Sequence, residues 1–114
     1  MSKNSYRKLR AEAKKFYFSI GAVPCPAFGN ELVYFDNRGW RHLIIKGRGY
    51  RDIHDQIRRF RMLTFVSSIV REATVAYSST TTFFYIYGYG NNRRYKIVIR
   101  KINNGKLHFL SVMD

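Results

Sequence analysis

Residues 39–51 read GWRHLIIKGRGYR and place His42 four positions before Lys46, with Arg41, Arg48 and Arg51 close by. Histidine, with an ordinary pKa near 6.5, can take up or release a proton at neutral pH, while lysine and arginine hold negative charge. Such residue types suit metal-free cleavage of a phosphodiester beside a ribose hydroxyl. There the 2′-OH loses a proton, the leaving 5′-oxygen gains one, and cations or hydrogen-bond donors hold the extra charge on the phosphorane. A deoxyribose strand has no 2′-OH and is excluded from that route. On a helix, a spacing of four sets His42 and Lys46 on one face. The competing reading is a basic surface segment in which Trp40, Leu43 and Ile44 are buried and His42 and Lys46 are merely solvated.

Other chemistries find fewer parts. Seven carboxylates, Glu12, Glu31, Asp36, Asp52, Asp55, Glu72 and Asp114, are spread along the chain and form no metal-binding cluster with His42, His54 or His108. A two-metal site needs several acidic ligands together, so no metal and no cofactor is expected. Cys25 is the single cysteine, which excludes an intrachain disulfide and a cysteine-based zinc site. His54, beside Asp52 and Asp55, reads as part of a helix start, and His108 as a solvated strand-end histidine.

The charge balance points to a partner. Among 114 residues, 21 Lys and Arg face 7 Asp and Glu, for a formal charge of +14. An excess of this size on a small domain fits a polyanion, with nucleic acid ahead of an anionic membrane or an acidic protein. No apolar run has the roughly 18 residues that a membrane span needs, and the start MSKNSYRKLR lacks the apolar core of a signal peptide.

The length suits one domain, whose elements must position these side chains. Residues 1–30 predict an amphipathic helix over 5–20, with Leu9, Ala13, Phe16 and Ile20 at helical spacing and Ser5 as cap, followed by the connector GAVPCPAFGN. Residues 31–72 predict a short strand, ELVYF, a two-turn helix from Asp36 or Asn37 through Lys46 stopped by Gly47, and a longer helix from Asp52 to about Glu72. Residues 73–114 hold VAYSS, TTTFFYIYGYG, RRYKIVIRKI and KLHFLSVM, rich in strand formers and separated by Asn91-Asn92 and Asn103-Asn104-Gly105. The expected fold is α+β, with N-terminal helices packed on a C-terminal four-stranded antiparallel sheet. Alternation along the third run gives Arg94, Lys96 and Arg100 one face and Tyr95 and Ile97 the other. Aromatics interleaved with cations could stack bases while the cations hold phosphates, with Tyr87, Tyr89 and Tyr95 as the rings to test. Ser111, among large apolar neighbours, needs a hydrogen-bond partner.

The helix-then-sheet order, a histidine near the start of a short helix in VYFDNRGWRHLI, and the terminal strand GKLHFLSVM resemble the barnase, EndoU, colicin and RelE-like RNase superfamily. The closer resemblance is to toxin domains of phage-associated and contact-dependent growth inhibition proteins, and it covers about residues 31–113. It implies a metal-independent endoribonuclease toxin acting on tRNA in the target-cell cytoplasm after secretion or cell-surface delivery. The domain would be monomeric when free and neutralised by a cognate immunity protein, which charge complementarity predicts to be acidic. By the same resemblance His42 is the catalytic histidine, Lys46 or Arg48 the downstream cation, Arg100 the strand cation and Ser111 the terminal-strand hydroxyl. Arg41, Arg48, Arg51, Tyr89, Arg94, Tyr95 and Lys96 then stand as RNA contacts. A non-catalytic nucleic-acid-binding module using the same surface is the alternative reading, and an adaptor for an acidic protein a third.

Overall fold

A computed structural model describes residues 2–114. Helix α1 spans Lys3–Ile20 and is capped by Ser2, whose hydroxyl accepts from the Ser5 amide at 3.1 Å. The cap therefore falls three residues before the expected Ser5. Its inward stripe is also turned: Tyr17 is fully buried, with Leu9, Ala13 and Ile20 packed beside it, whereas Phe16 is 44% exposed. Tyr17 can enter the core because its hydroxyl donates to the Asp36 carbonyl at 2.7 Å.

The sheet is larger than expected and mixed. The connector supplies strand β1, Ala22–Cys25, and a short 3-10 turn, Pro26–Phe28, before strand β2, Glu31–Tyr34. β1 pairs antiparallel with β2 (Val23↔Val33) and forms one edge of the sheet, a position where Pro24 is tolerated without a backbone donor. After helix α2, Asn37–Ile44, come two-residue strands β3, Ile45–Lys46, and β4, Gly49–Tyr50, then helix α3, Ile53–Glu72. The remaining strands are β5, Tyr77–Ser78, β6, Phe83–Gly90, β7, Arg93–Lys101, and β8, Leu107–Met113. Strand order is β1-β2-β8-β7-β6-β5. β5 to β8 form the expected antiparallel meander, and β2 joins it in parallel through Val33↔Leu107 and Tyr34↔His108. The four-stranded antiparallel sheet is thus corrected to six mixed strands, because the short N-terminal segments pair along the otherwise open edge of β8.

Side-chain size sets how the helices lie on this sheet. A Cβ on Gly88 would meet Ile69 at 2.6 Å, and one on Gly90 would collide with the Phe65 ring. α3 therefore presses directly on β6, and the intervening Tyr87 and Tyr89 are left on the opposite face. Asn91 and Asn92, both at positive φ (51° and 62°), close the β6–β7 hairpin. β2 pairs with only two residues of β8, and α2 packs along the same strand. A Cβ on Gly39 would come 2.6 Å from the Phe109 carbonyl, so that crossing requires glycine.

Helix α2 starts as expected, with the Asp36 carboxylate accepting from the Arg38 amide at 3.1 Å. It ends at Ile44 rather than Lys46. Gly47, at φ 62°, turns the β3–β4 hairpin instead of stopping the helix. Lys46 consequently lies beyond the helix and does not share a helical face with His42.

Candidate functional site

A cleft of about 410 Å³ opens where α2, the β3–β4 turn and the sheet meet. α2 contributes Arg38, Arg41 and His42, the hairpin contributes Lys46, and the sheet contributes Arg100. Apolar Ile45 and Leu110 form part of its wall. Leu110 reaches it because β8 carries a bulge: Val98 faces Ser111 while Ile99 faces Phe109, which leaves Leu110 as the extra residue. Among the described residues no carboxylate lines the cleft. His42, Lys46 and Arg100 are brought to one cavity despite their separation in sequence, although Lys46 arrives from a strand.

Behind His42 sits an arginine cluster built on Asp55. Asp55 accepts from Arg51 at 3.2 Å, Arg58 at 2.7 Å and Arg59 at 3.3 Å. Burial alone would raise its pKa, but the hydrogen bonds and charges of these arginines prevail and hold it at about 2. Arg51 also donates through Nε to the His42 carbonyl at 2.9 Å, which fixes the C-terminal turn of α2. The His42 ring itself is exposed at the cleft. Its pKa is lowered, first by partial desolvation and then by the positive charges of Arg51 and Arg59. The imidazole is therefore neutral at pH 7 and able to accept a proton.

Several expected contacts lie elsewhere. Ser111 is buried and does not line the cleft; its hydroxyl accepts from Arg59 Nη1 at 3.2 Å, and the same nitrogen donates to the Val112 carbonyl at 2.7 Å. The partner that a buried serine demanded is thus an arginine of α3. The Arg51 side chain is only 7% exposed and is committed to His42 and Asp55, so it supports the site from behind. Tyr95 turns inward, 5% exposed, and stacks on Phe65 with ring centroids 5.7 Å apart. Arg41 lines the cleft, while exposed Arg48 sits in the adjoining turn. Tyr89, Arg94 and Lys96 belong to β6 and β7, on the face away from α3.

His108 is not a solvated strand-end residue. It is 6% exposed, with Nδ1 2.5 Å from Asp36 Oδ2 in a contact that lacks hydrogen-bond geometry, and Nε2 has no hydrogen-bond partner. It faces Arg100 across β7–β8 and Tyr34 across β2–β8. The parallel strand that buries it was not foreseen. Arg38, Leu110, Asp55 and Arg59 were also missed as site-forming residues. Asp55 carried a legible signal, lying four residues from Arg51 and from Arg59 and three from Arg58. Among the described residues no three His, Cys, Asp or Glu side chains gather to hold a metal ion, and no helix is long and apolar enough to cross a membrane. The chain matches no protein-family model, no curated protein and no solved structure at a significant level.

Proposed function

We propose that the domain is a metal-independent endoribonuclease that cuts RNA, with tRNA as its target, by attack of a ribose 2′-OH on the adjacent phosphodiester. The convergence of His42, Lys46 and Arg100 on one carboxylate-free cleft carries this reading. Neutral His42 takes the 2′-OH proton as the oxygen–phosphorus bond forms. Arg100 stabilises the dianionic phosphorane through its N–H donors, helped by Arg38, whose guanidinium also pairs with Asp36 at 3.4 Å. The bond to the 5′-oxygen then breaks, and that oxygen needs a proton. Guanidinium groups keep theirs, which leaves Lys46 as the donor in the cleft besides protonated His42. The products are a 2′,3′-cyclic phosphate and a free 5′-hydroxyl. In this reading the domain is a secreted or surface-delivered toxin acting in the target cytoplasm, and an acidic immunity protein blocks it by covering the cleft.

Incubation of the protein with total tRNA in EDTA tests the proposal. Cleavage with cyclic-phosphate ends, lost in His42→Ala, is expected. Undiminished cleavage by His42→Ala would remove His42 from the mechanism, and activity abolished by EDTA would require a metal. A second reading, a non-catalytic RNA-binding module, is favoured by the cationic and aromatic sheet face. It predicts salt-dependent RNA binding without turnover.

A further inference from the structure

The sheet face turned away from α3 carries two parallel rows. β6 contributes Phe83, Tyr85, Tyr87 and Tyr89, and β7 contributes Arg94, Lys96 and Arg100 beside Val98. Neither strand contains an Asp or Glu. The rows interlock: the Arg94 guanidinium lies 4.1 Å over the Tyr87 ring, Lys96 Nζ 4.0 Å over Tyr85, and the Arg100 guanidinium 5.4 Å from the Phe83 centroid. A cation resting on a ring loses part of its rotamer freedom before any ligand arrives, yet keeps N–H donors free for a phosphate. Tyr89, 75% exposed, has no cation over its ring among the described residues and so offers a free stacking surface.

The rows connect two depressions. At one end Arg100 belongs to the cleft that holds His42. At the other, Tyr87, Arg94, Lys96 and Met113 line a hollow of about 310 Å³. Asp114 also borders that hollow, but its carboxylate is taken by Arg58 at 2.7 Å and Arg93 at 3.3 Å. Between Arg94 and Arg100 the strand runs about 20 Å, long enough for a few nucleotides of extended backbone.

We propose that this face is a track for unpaired RNA, with phosphates on Arg94 and Lys96, a base stacked on Tyr89, and the strand leading into the cleft at Arg100. The direction of the strand rests on the ribonuclease reading, whereas its binding does not. An unpaired strand is selected because a duplex hides the base faces that Tyr89 would stack.

The test uses 2′-O-methyl RNA, which cannot undergo 2′-OH attack, so that binding is read without cleavage. Fluorescence anisotropy follows single strands of two to twelve nucleotides and a duplex of the longest sequence. For the wild-type protein, affinity should rise with length until the track is spanned and should favour the single strand. In Arg94→Gln/Lys96→Gln the gain with length should shrink by about tenfold, and the salt slope of log K should fall by about 1.4, the value for two phosphates of a single strand. Tyr89→Ala should weaken the longer strands by about tenfold with an unchanged salt slope. Unchanged thermal melting establishes that the variants are folded. A duplex bound as tightly as the single strand, or a length gain that survives the double substitution, overturns the track. Tighter binding of a glutamate-rich peptide at matched salt also overturns it and assigns the face to an acidic protein. Unmodified RNA tested on the same preparations reads cleavage separately, so a failed nuclease and a failed track give different patterns.

Discussion

Replacing Asp55 with Asn keeps the shape of the side chain but removes the one carboxylate that holds Arg51, Arg58 and Arg59 together. The fall of the Asp55 pKa from 3.8 to about 2 corresponds to about 2 kcal/mol of native stability. Removing one member of a buried ion pair costs about 3–5 kcal/mol, and the Arg51 and Arg59 side chains are only 7% and 10% exposed. Asparagine still accepts a hydrogen bond, so a loss of about 3 kcal/mol is expected. With an m-value on the order of 1.5 kcal/mol per molar, the urea midpoint should fall by about 2 M. Because the folded pKa is depressed, the unfolded chain binds the proton more readily. The wild-type contribution is therefore complete above about pH 4 and is lost as pH falls toward 2. Asp55→Asn should lack this component of acid sensitivity. On the proposed ribonuclease reading it should also lower kcat/KM for RNA, since Arg51 fixes the His42 carbonyl at 2.9 Å. A urea midpoint within about 0.3 M of wild type, or the same acid sensitivity in both proteins, would refute the assignment of Asp55 as the anchor of the cluster.

Ser111→Ala should destabilise by about 1–2 kcal/mol, because Arg59 loses a buried acceptor. Its kcat/KM per folded molecule should stay near wild type, and a fall of a hundredfold or more would restore the catalytic hydroxyl that the family resemblance implied. Gly39→Ala places a Cβ against the Phe109 carbonyl and should cost at least about 1–3 kcal/mol in urea unfolding. The pH profile of kcat/KM should rise through an apparent pKa below 6.5 and level off above it, since desolvation, Arg51 and Arg59 lower the His42 pKa. An acid limb above 6.5 would mean that another group is the base.

The parts legible in the sequence are those governed by local rules. Asp36 and Asp52 cap their helices, and the Asn91-Asn92 turn joins two β-rich runs as read. Non-local pairing was not legible. Pro24 argues against a strand unless that strand is known to lie at an edge, so the sequence reads as a connector at β1 and carries no sign of the parallel β2–β8 pairing. Tyr17 shows a similar limit: the polar end of a tyrosine can be buried only if an acceptor such as the Asp36 carbonyl is present, and that acceptor is 19 residues away. Alternation correctly separated Arg94 and Lys96 from Tyr95, but not which side faced α3. The glycines at 88 and 90 held that information, since α3 needs close approach on the face they occupy.

Lys46 illustrates how a useful grouping can follow from an incorrect local geometry. The spacing of four from His42 suggested a shared helical face, yet the helix ends at Ile44 and Lys46 reaches the same cleft from a two-residue strand. His42 is held from behind by Arg51, Lys46 by the β3–β4 hairpin and Arg100 by the central strand β7. Each of the three side chains is therefore anchored by a different part of the fold. Like charges that would separate in a flexible chain are kept together, with Asp55 neutralising part of the arginine charge behind them and Asp36 pairing with Arg38 at 3.4 Å. Preorganised in this way, the cleft would need little rearrangement in the proposed reaction as negative charge develops on a phosphate, which is where electrostatic stabilisation is most effective.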